Sequence, residues 1–245
     1  MIKTNGIYKK FGETEILKNI DFHVKKGEFV AIMGQSGCGK STLLYNISGM
    51  DKPTDGEVLF EGQKLSNFSE KEMERIRLTK MGFIFQKANF LKNLSIEDNI
   101  VFPAFQAGKY SRAESVKEAE NLMDRMGILE IAKHDIRKVS GGQLQRAAIC
   151  RAMINHPAIL FGDEPTGALN SSATREIMDI INQINEQGTT VLLVTHDAKV
   201  AARADRVIYL EDGSIKDVLD LDKYAETLAA QREERMKLWL EKMGF

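Results

Sequence analysis

The feature that most restricts the fold is an apolar run followed directly by a glycine-rich loop and a helix-forming segment. Residues 29–33 read Phe-Val-Ala-Ile-Met, and residues 34–42 read Gly-Gln-Ser-Gly-Cys-Gly-Lys-Ser-Thr. A short, wholly apolar and β-rich run predicts a strand buried on both faces. The segment Ser41 to Met50 predicts the helix that follows. This order of strand, loop and helix is the context that a phosphate-binding loop requires.

The residues of this loop suit contact with phosphate. Gly34 and Gly39 can adopt backbone angles that other residues avoid, so successive N–H groups can curl around phosphate oxygens at a helix N-terminus. The Lys40 ammonium supplies a point charge for the β- and γ-phosphates, and the Ser41 hydroxyl can bind Mg²⁺. Cys38 either lines the site or fills the turn as a small residue. The predicted nucleotide-binding residues of the loop are Gly34, Gln35, Ser36, Gly37, Cys38, Gly39, Lys40, Ser41 and Thr42.

Further reactive side chains follow later apolar runs. Asp163 and Glu164 end one such run; the first can hold Mg²⁺, and the second can orient or deprotonate an attacking water. His196 follows another run, at a position that faces the ligand crevice of a parallel sheet. Gln86 ends a third, and its long neutral side chain suits contact with Mg²⁺ or the attacking water. Taken singly, each also fits a solvated strand end or a polar loop.

A second glycine-rich element reads Val139-Ser140-Gly141-Gly142-Gln143 and precedes a predicted helix over Gln143–Met153. Its loop and the start of that helix predict a second anion site, far in sequence from the first. One explanation for two phosphate sites in one chain is that two copies pair head to tail. Each ATP would then lie between one phosphate-binding loop and the Ser140–Gln143 segment of the other copy.

Apolar runs and helical segments alternate along the rest of the chain, which predicts an α/β fold with a mainly parallel sheet covered by helices. The run Ile16–Val24 predicts a strand at an antiparallel edge. Segment 94–139 is mostly helical and predicts a helical subdomain inserted at about residues 90–150. We therefore expect one domain over residues 1–220 and a C-terminal helical extension over residues 221–245.

The extension from Leu221 to Phe245 predicts one amphipathic helix ending at Gly244. In the simpler interpretation it packs on its own domain. The alternative is that it contacts a second copy of the chain or a membrane partner. Its broken apolar stripe consists of Leu221, Tyr224, Leu228, Met236, Leu240 and Met243.

Composition restricts the cellular compartment and the partners that we expect for the chain. The net charge is −1, from 34 basic and 35 acidic residues, so no global attraction to nucleic acid or anionic lipid is expected. Two cysteines, Cys38 and Cys150, do not make a disulfide framework, which indicates a reducing, cytosolic setting. We expect neither a signal peptide nor a spanning helix, since no stretch approaches the ~20 apolar residues required. Work at a membrane would need a second, membrane-embedded chain.

Together these motifs resemble the nucleotide-binding subunit of an ABC transporter, from Ile2 to about Lys216. The resemblance implies a P-loop NTPase (RecA-like) fold, ATP and Mg²⁺ as cofactors, and an active ATPase. It implies that Phe11, where the family more often has Tyr, stacks on adenine, and that Val139–Gln143 is the signature, with Val for the usual Leu. The nucleotide site then also includes Ser140, Gly141, Gly142 and Gln143. The implied catalytic residues are Glu164, His196, Lys40 and Gln86, and the implied metal ligands are Ser41, Gln86 and Asp163.

The segment Pro165–Asn170 resembles the branch of lipoprotein-release, macrolide-export and bacitracin- or lantibiotic-resistance ATPases, which act with FtsX-like membrane subunits. Asn170, where the family usually has Asp, and the C-terminal residues are most similar to the antimicrobial-peptide resistance group. The resemblance implies two copies that drive a separate permease from the inner face of the cell membrane, with no nucleic acid partner. Asn170 keeps the hydrogen-bonding shape of Asp and lacks its charge.

Other functions fit the same motifs. Within the family, a lipoprotein-release or cell-division ATPase is the alternative to peptide resistance. A soluble ABC protein that remodels ribosomes or DNA usually carries two such domains or a long coiled-coil arm, and segment 94–139 is too short for that arm. A regulator that binds nucleotide without hydrolysing it is disfavoured by the intact Glu164. These motifs do not identify the transported substrate.

Overall fold

The computed structural model describes residues 1–244; Phe245 lies outside the described residues. The chain divides into two compact units. Unit 1 comprises Met1–Met73 and the chain from Ile184 onward, and unit 2 comprises Glu74–Gln183. In chain order the elements are β1 (Ile2–Phe11), β2 (Thr14–Ile20), β3 (His23–Val24), β4 (Phe29–Met33), α1 (Lys40–Ile47), β5 (Asp55–Phe60), β6 (Gln63–Lys64), α2 (Glu70–Lys80), β7 (Met81–Phe85), α3 (Ile96–Ala107), α4 (Arg112–Arg125), α5 (Gly141–Met153), β8 (Ile159–Asp163), α6 (Ser171–Glu186), β9 (Thr190–Val194), α7 (Ala198–Ala201), β10 (Arg206–Glu211), β11 (Ser214–Asp220) and α8 (Ala229–Met243).

Unit 1 contains parallel strands in the order β10-β4-β9, with β11 antiparallel on the outer side of β10. Strand β4 is central, since Ile32 pairs with both Val194 and Ile208. All five residues of β4 are buried. The prediction of a strand buried on both faces is confirmed, and this strand delivers the chain into the glycine-rich loop.

A second sheet in unit 1 is antiparallel, in the order β2-β1-β5-β6 with β3 paired to β1. The predicted strand Ile16–Val24 is broken into β2 and β3. Between them, the Phe22 carbonyl accepts from the Thr4 backbone N–H at 2.9 Å, while the Phe22 N–H donates to the Thr4 hydroxyl at 2.8 Å. This local pairing with β1 ends one strand and starts the next.

Unit 2 carries the parallel pair β7 and β8 together with α3, α4 and α5. Phe83 of β7 stacks on Phe161 of β8, with ring centroids 5.4 Å apart. The Asn155 amide donates to the Leu78 carbonyl at 2.8 Å and to the Pro103 carbonyl at 3.2 Å. These contacts hold the strand pair and the helices of unit 2 in one packed body.

The C-terminal extension differs from its prediction. The α-helix begins at Ala229 instead of Leu221, after an extended and turning stretch that ends in a 3₁₀ turn, Glu226–Leu228. Asp222 has a left-handed backbone, with φ +62°, which interrupts a helix, and the Arg232 guanidinium donates to the carbonyls of Leu221 and Asp222. These carbonyls are engaged by a side chain instead of by helical N–H groups, so the helix starts later.

One face of α8 packs on unit 1 itself. The Trp239 ring meets Tyr209 edge-on, with centroids 5.9 Å apart, and its indole N–H donates to Asp217 at 2.8 Å. Met236 and Leu240 are buried beside it. This packing is the simpler of the two interpretations of the extension. Among residues 1–244, no helix has both the length and the apolar character needed to cross a bilayer.

Candidate functional site

The backbone of the loop after β4 requires glycine at two positions. Gly34 has φ +151°, and a Cβ there would run into the Leu210 carbonyl oxygen and the Cys38 sulfur. Gly39 has φ +103°, and its Cβ would lie 2.9 Å from the Ile16 carbonyl oxygen. Both positions combine a left-handed backbone with no room for a side chain. The sequence prediction that these glycines shape the loop is therefore explained by the packing of unit 1.

Helix α1 starts directly from this loop. Gly39 is its N-cap, no side chain caps it, and no acidic residue occupies its first turn. The N-terminus of a helix carries a partial positive charge of roughly +0.5, so it attracts an anion. The start of α1, together with the loop before it, is therefore a candidate anion site.

The Lys40 ammonium lies inside the loop. It donates to the Gly34 carbonyl at 2.9 Å and the Gln35 carbonyl at 2.7 Å, and the residue is 7% exposed. The Cys38 sulfur lies 4.0 Å from the same ammonium. Burial raises the pKa of the Cys38 thiol, with the Lys40 charge opposing that rise. The side chain of Cys38 thus lies beside Lys40 within the loop.

Phe11 and His196 are the other site residues predicted in unit 1. Phe11 ends β1 and is 56% exposed, a large aromatic face open to solvent. The Lys9 ammonium lies 4.9 Å from its ring centroid. His196 is exposed between β9 and α7, and the next residue, Asp197, caps α7 by accepting from the Lys199 N–H at 2.7 Å. Both side chains are placed where a ligand can reach them.

In unit 2, Glu164 has an unusual backbone. Its φ is +48°, a left-handed conformation that L-residues other than glycine rarely adopt. Its carbonyl accepts from the Gly167 N–H at 3.0 Å, which closes a tight turn directly after β8. Non-glycine residues held in this conformation cost about 1–3 kcal/mol and concentrate at functional sites. This backbone adds to the sequence signals that make Glu164 a candidate functional residue.

Gln86 and Glu164 approach each other around Gly167. In the strand pair, Asp163 lies opposite Phe85, so Gln86 and Glu164 leave the strands side by side. A Cβ on Gly167 would lie 2.9 Å from Gln86 Nε2 and 3.3 Å from Glu164 Oε2. Unit 2 thus brings together an amide, a carboxylate and the neighbouring Asp163 at the ends of two parallel strands.

Asn170, the departure from the family pattern, caps α6. Its side-chain oxygen accepts from the Ala173 N–H at 2.9 Å, and its carbonyl accepts from the Thr174 N–H at 2.9 Å. Asn and Asp serve about equally well as N-caps. The amide therefore keeps this local structural role of the usual carboxylate.

The predicted signature forms the start of α5. The helix begins at Gly141 and not at Gln143, because Ser140 and Gln143 form a capping box. The Gln143 N–H donates to the Ser140 hydroxyl at 3.2 Å, and the Ser140 N–H donates to the Gln143 side chain at 2.9 Å. This reciprocal pair fixes the first turn and sets both glycines inside the helix.

Neither the backbone angles nor the packing of the chain requires glycine at positions 141 and 142. Neither has a positive φ. A Cβ at Gly141 would lie 3.7 Å from Leu169, and one at Gly142 would lie 3.7 Å from Ala173, both ordinary contacts. Glycine inside a helix costs about 1 kcal/mol relative to alanine. The packing within the chain therefore does not explain why both positions are glycine.

The donor set fits Mg²⁺ better than a transition metal. The proposed ligands are a hydroxyl, an amide and a carboxylate, on Ser41, Gln86 and Asp163. In the described part of the chain, no three His, Cys, Asp or Glu side chains cluster as a metal site would require. Mg²⁺ is typically held by one or two protein oxygens, several waters and the phosphates of its substrate. An all-protein cage is therefore not needed here.

Two contacts that organise unit 2 are not predicted from the sequence. The sequence marks Gly167 only as part of the segment Pro165–Asn170, although its missing side chain leaves space beside Gln86 and Glu164. Arg151 and Gln145 of α5 hydrogen-bond to the chain on either side of Gln86. No local pattern signals either contact, because each joins residues that are distant in sequence.

The family model that matches this chain and the proteins that are similar to it agree on one family. The sequence model of the family described as ABC transporter matches residues 17–167. A macrolide export ATP-binding/permease protein, MacB of Campylobacter jejuni, is 42% identical over 228 residues, covering 93% of this chain and 35% of the relative. The lipoprotein-releasing system ATP-binding protein LolD of Aquifex aeolicus is 40% identical over 215 residues, covering 88% of this chain and 96% of the relative. The chain spans about a third of the length of the MacB relatives.

Solved structures agree with this result. The dimeric structure of MJ0796, a bacterial ABC transporter cassette, matches with a TM-score of 0.84 and 40% identity, covering 91% of this chain and 100% of that one. A second dimeric structure of MJ0796, in a post-hydrolysis state bound to ADP and Pi, matches with a TM-score of 0.81 and 38% identity, with the same coverage. The predicted α/β fold of P-loop type is confirmed.

Proposed function

Because this chain belongs to the ABC transporter family, we propose that it is a transport ATPase that works as a head-to-tail pair. Two copies bind two Mg·ATP, close, hydrolyse the nucleotide and reopen. Each ATP lies between the phosphate-binding loop of one copy and the Ser140–Gln143 segment of the other. The released energy drives a separate membrane permease.

The observation that carries this proposal is the pair of bare helical positions at Gly141 and Gly142. Nothing in the chain needs glycine there, and the start of α5 offers backbone N–H groups and a positive helix end to an anion. The γ-phosphate of an ATP held by a second copy is such an anion. A side chain at either position would stand between the helix start and that phosphate.

Each half of the nucleotide site has its own residues. Phe11 stacks on adenine through its exposed ring, and Lys40 leaves its carbonyl partners to bind the β- and γ-phosphates. Ser41 and Asp163 hold Mg²⁺, with Gln86 as a further oxygen ligand. The phosphate-binding residues are Gly34, Gln35, Ser36, Gly37, Cys38, Gly39, Lys40, Ser41 and Thr42, with Ser140, Gly141, Gly142 and Gln143 of the second copy.

The hydrolytic step is assigned to the strained turn after β8. Glu164 accepts a proton from the attacking water, and its left-handed backbone holds the carboxylate at the strand end. Gln86 lies beside it, around Gly167, and orients the same water. His196 bonds the γ-phosphate from the end of β9. Bound Mg²⁺ supplies charge neutralisation on the phosphate oxygens.

The transported class is a finer proposal. The relatives include a macrolide exporter and a lipoprotein-releasing ATPase, and Asn170 together with the C-terminal residues resembles the peptide-resistance group of the same branch. We assign this chain to antimicrobial-peptide export or resistance, with an FtsX-like permease as its partner. It is then held at the cytoplasmic face of the membrane by that permease. Lipoprotein release is the alternative, and the permease that co-purifies with the chain distinguishes the two.

The chemistry is tested with Glu164→Gln. This variant keeps ATP affinity, hydrolyses ATP at least about a hundredfold more slowly, and accumulates as a dimer in MgATP, measured by sedimentation velocity. Lys40→Ala is the matched control, because it weakens ATP binding by a few kcal/mol and stays monomeric at the same ATP concentration. Hydrolysis by Glu164→Gln at the wild-type rate would refute the role given to Glu164.

A further inference from the structure

We propose that Arg151, helped by Gln145, is a positioning residue that ties the segment carrying Gln86 to the signature helix α5. This inference rests on the proposed ATPase function for its catalytic meaning. Its structural part, a clamp between α5 and residues 85–90, stands on contacts within unit 2 alone.

The contacts bracket Gln86 on both sides. Before it, the Gln145 amide donates to the Phe85 carbonyl at 3.3 Å. After it, the Arg151 guanidinium donates to the carbonyl of Ala88 and, at 3.2 Å, to that of Asn89. The same guanidinium lies 4.4 Å from the ring centroid of Phe90. The chain from Phe85 to Phe90 is thus held at four residues by side chains of one helix.

The chemistry of the clamp suits arginine in particular. Burial lowers the pKa of Arg151 to about 10, so the group stays charged at neutral pH although it is largely desolvated. A planar guanidinium can donate to two neighbouring carbonyls and still stack on a ring, whereas a lysine ammonium acts as a single point charge. The backbone it grips is unusual, since Asn89 has φ +47°. The guanidinium stabilises a turn that the chain does not favour alone.

The clamp links the position of Gln86 to the position of the signature segment Ser140–Gln143. Helix α5 starts at the capping box of Ser140 and continues without a break through Gln145 and Arg151. When the start of this helix docks against the nucleotide of a second copy, residues 85–90 move with it. Gln86 therefore reaches the position that it needs for hydrolysis only when the Ser140–Gln143 segment docks. A misplacement of about 1 Å in such a group can lower turnover by about a hundredfold.

The clamp itself is tested without nucleotide, by hydrogen–deuterium exchange of the peptide covering residues 85–90. In Arg151→Met the amides of this peptide should exchange at least about fivefold faster than in the wild type, while those of β8 do not change. The matched control is Arg232→Met in unit 1. Arg232 also donates to backbone carbonyls, those of Ala202 and Ala204, and its guanidinium lies 5.4 Å from a Tyr224 ring centroid. It should leave residues 85–90 unaffected.

Turnover tests the positioning role. Arg151→Met should lower kcat by about tenfold per folded molecule while the dissociation constant of a fluorescent ATP analogue stays within about twofold, because the phosphate-binding loop lies in unit 1. Arg151→Lys should recover part of the loss. In a Gln86→Ala background the Arg151→Met effect should vanish, since the clamp acts through Gln86. Arg232→Met should keep wild-type kcat.

The outcomes separate the two claims. Unchanged exchange at residues 85–90 in Arg151→Met overturns the clamp. Faster exchange with unchanged kcat, or an equal loss of kcat in the Gln86→Ala background, overturns the positioning role. A wild-type chain that does not hydrolyse ATP contradicts the proposed function and the positioning role together, while the exchange result still supports or overturns the clamp.

Discussion

Replacing Gly167 by Ala is the sharpest probe of how Gln86 and Glu164 cooperate. The new methyl would lie 2.9 Å from Gln86 Nε2, whereas ordinary contacts of this kind are about 3.5 Å. The amide must therefore withdraw by about 0.6 Å. Since a displacement of about 1 Å can lower turnover by about a hundredfold, we expect kcat to fall by about tenfold, or ~1.4 kcal/mol.

Folding should be unaffected by this change. Gly167 is exposed, its φ is not positive, and the nearest atoms to the added methyl are the mobile ends of two side chains. Removal of a glycine from such a position stabilises a protein by about 0.4–1 kcal/mol through the unfolded state. The melting temperature of Gly167→Ala should therefore equal or slightly exceed that of the wild type.

The assay is steady-state ATP turnover with purified chain, together with the dissociation constant of an ATP analogue and a thermal melt. The decisive comparison is Gly167→Ala in the Gln86→Ala background, where the methyl has room. There the substitution should add no further loss. A kcat for Gly167→Ala within about twofold of the wild type, or an equal loss in both backgrounds, would refute the reasoning.

Three further results follow from the structure. Because burial raises its thiol pKa, Cys38 should react with iodoacetamide more slowly than free cysteine at pH 8, and the reaction should accelerate as the pH rises past 9. MgATP should protect the thiol, and a Cys150→Ala variant isolates the signal of Cys38. Labelling that does not depend on nucleotide would contradict the placement of Cys38 in the nucleotide site. Phe11→Ala should weaken ATP binding by about 1–2 kcal/mol in a fluorescence titration, with Phe11→Tyr close to wild type, and equal affinity of all three would exclude stacking. Trp239→Ala should lower the free energy of unfolding in urea by about 3 kcal/mol without changing kcat per folded molecule, and a loss below about 1 kcal/mol would mean that α8 does not rest on Tyr209.

Local chemistry explains what the sequence could predict. The run Phe29–Met33 is apolar at every position, which only a strand covered on both faces can use, and all five residues are buried. The glycines of the next loop announce a backbone that other residues avoid, and Gly34 and Gly39 have it. Because the signal and the structure lie within a dozen residues, the fold of this part follows from the sequence.

Strand β1 shows why other parts did not follow. Its ten residues include Lys3, Lys9 and Lys10, so no apolar run marks it as a strand. Lys9 is nonetheless only 8% exposed, since its ammonium binds Asp51 at 2.7 Å and the Lys52 carbonyl at 2.7 Å. A charge neutralised by residues more than forty positions away is invisible to a local pattern.

The other features that the sequence does not predict also depend on residues that are distant in sequence. Gly167 owes its importance to Gln86, and the two are brought together by the pairing of β7 with β8. The late start of α8 depends on Arg232 reaching back to Leu221. Sequence motifs predict the candidate reactive residues, whereas the geometry around these residues depends on the tertiary fold.

The central claim is that each ATP lies between two copies of the chain, and mixing two inactive variants tests it most directly. Lys40→Ala disables the phosphate-binding loop, and Gly141→Asp places a negative charge at the signature helix. In a head-to-tail pair of the two variants, one site combines both defects and the other combines neither.

Each variant alone should be inactive, and an equal mixture should recover up to about half of the wild-type ATPase rate, because each mixed dimer has one intact site of its two. Controls are each variant at the total protein concentration of the mixture. Recovered hydrolysis on mixing is the result that the shared site predicts. A mixture as inactive as its components, with mixed dimers demonstrated by differential tags, would contradict it.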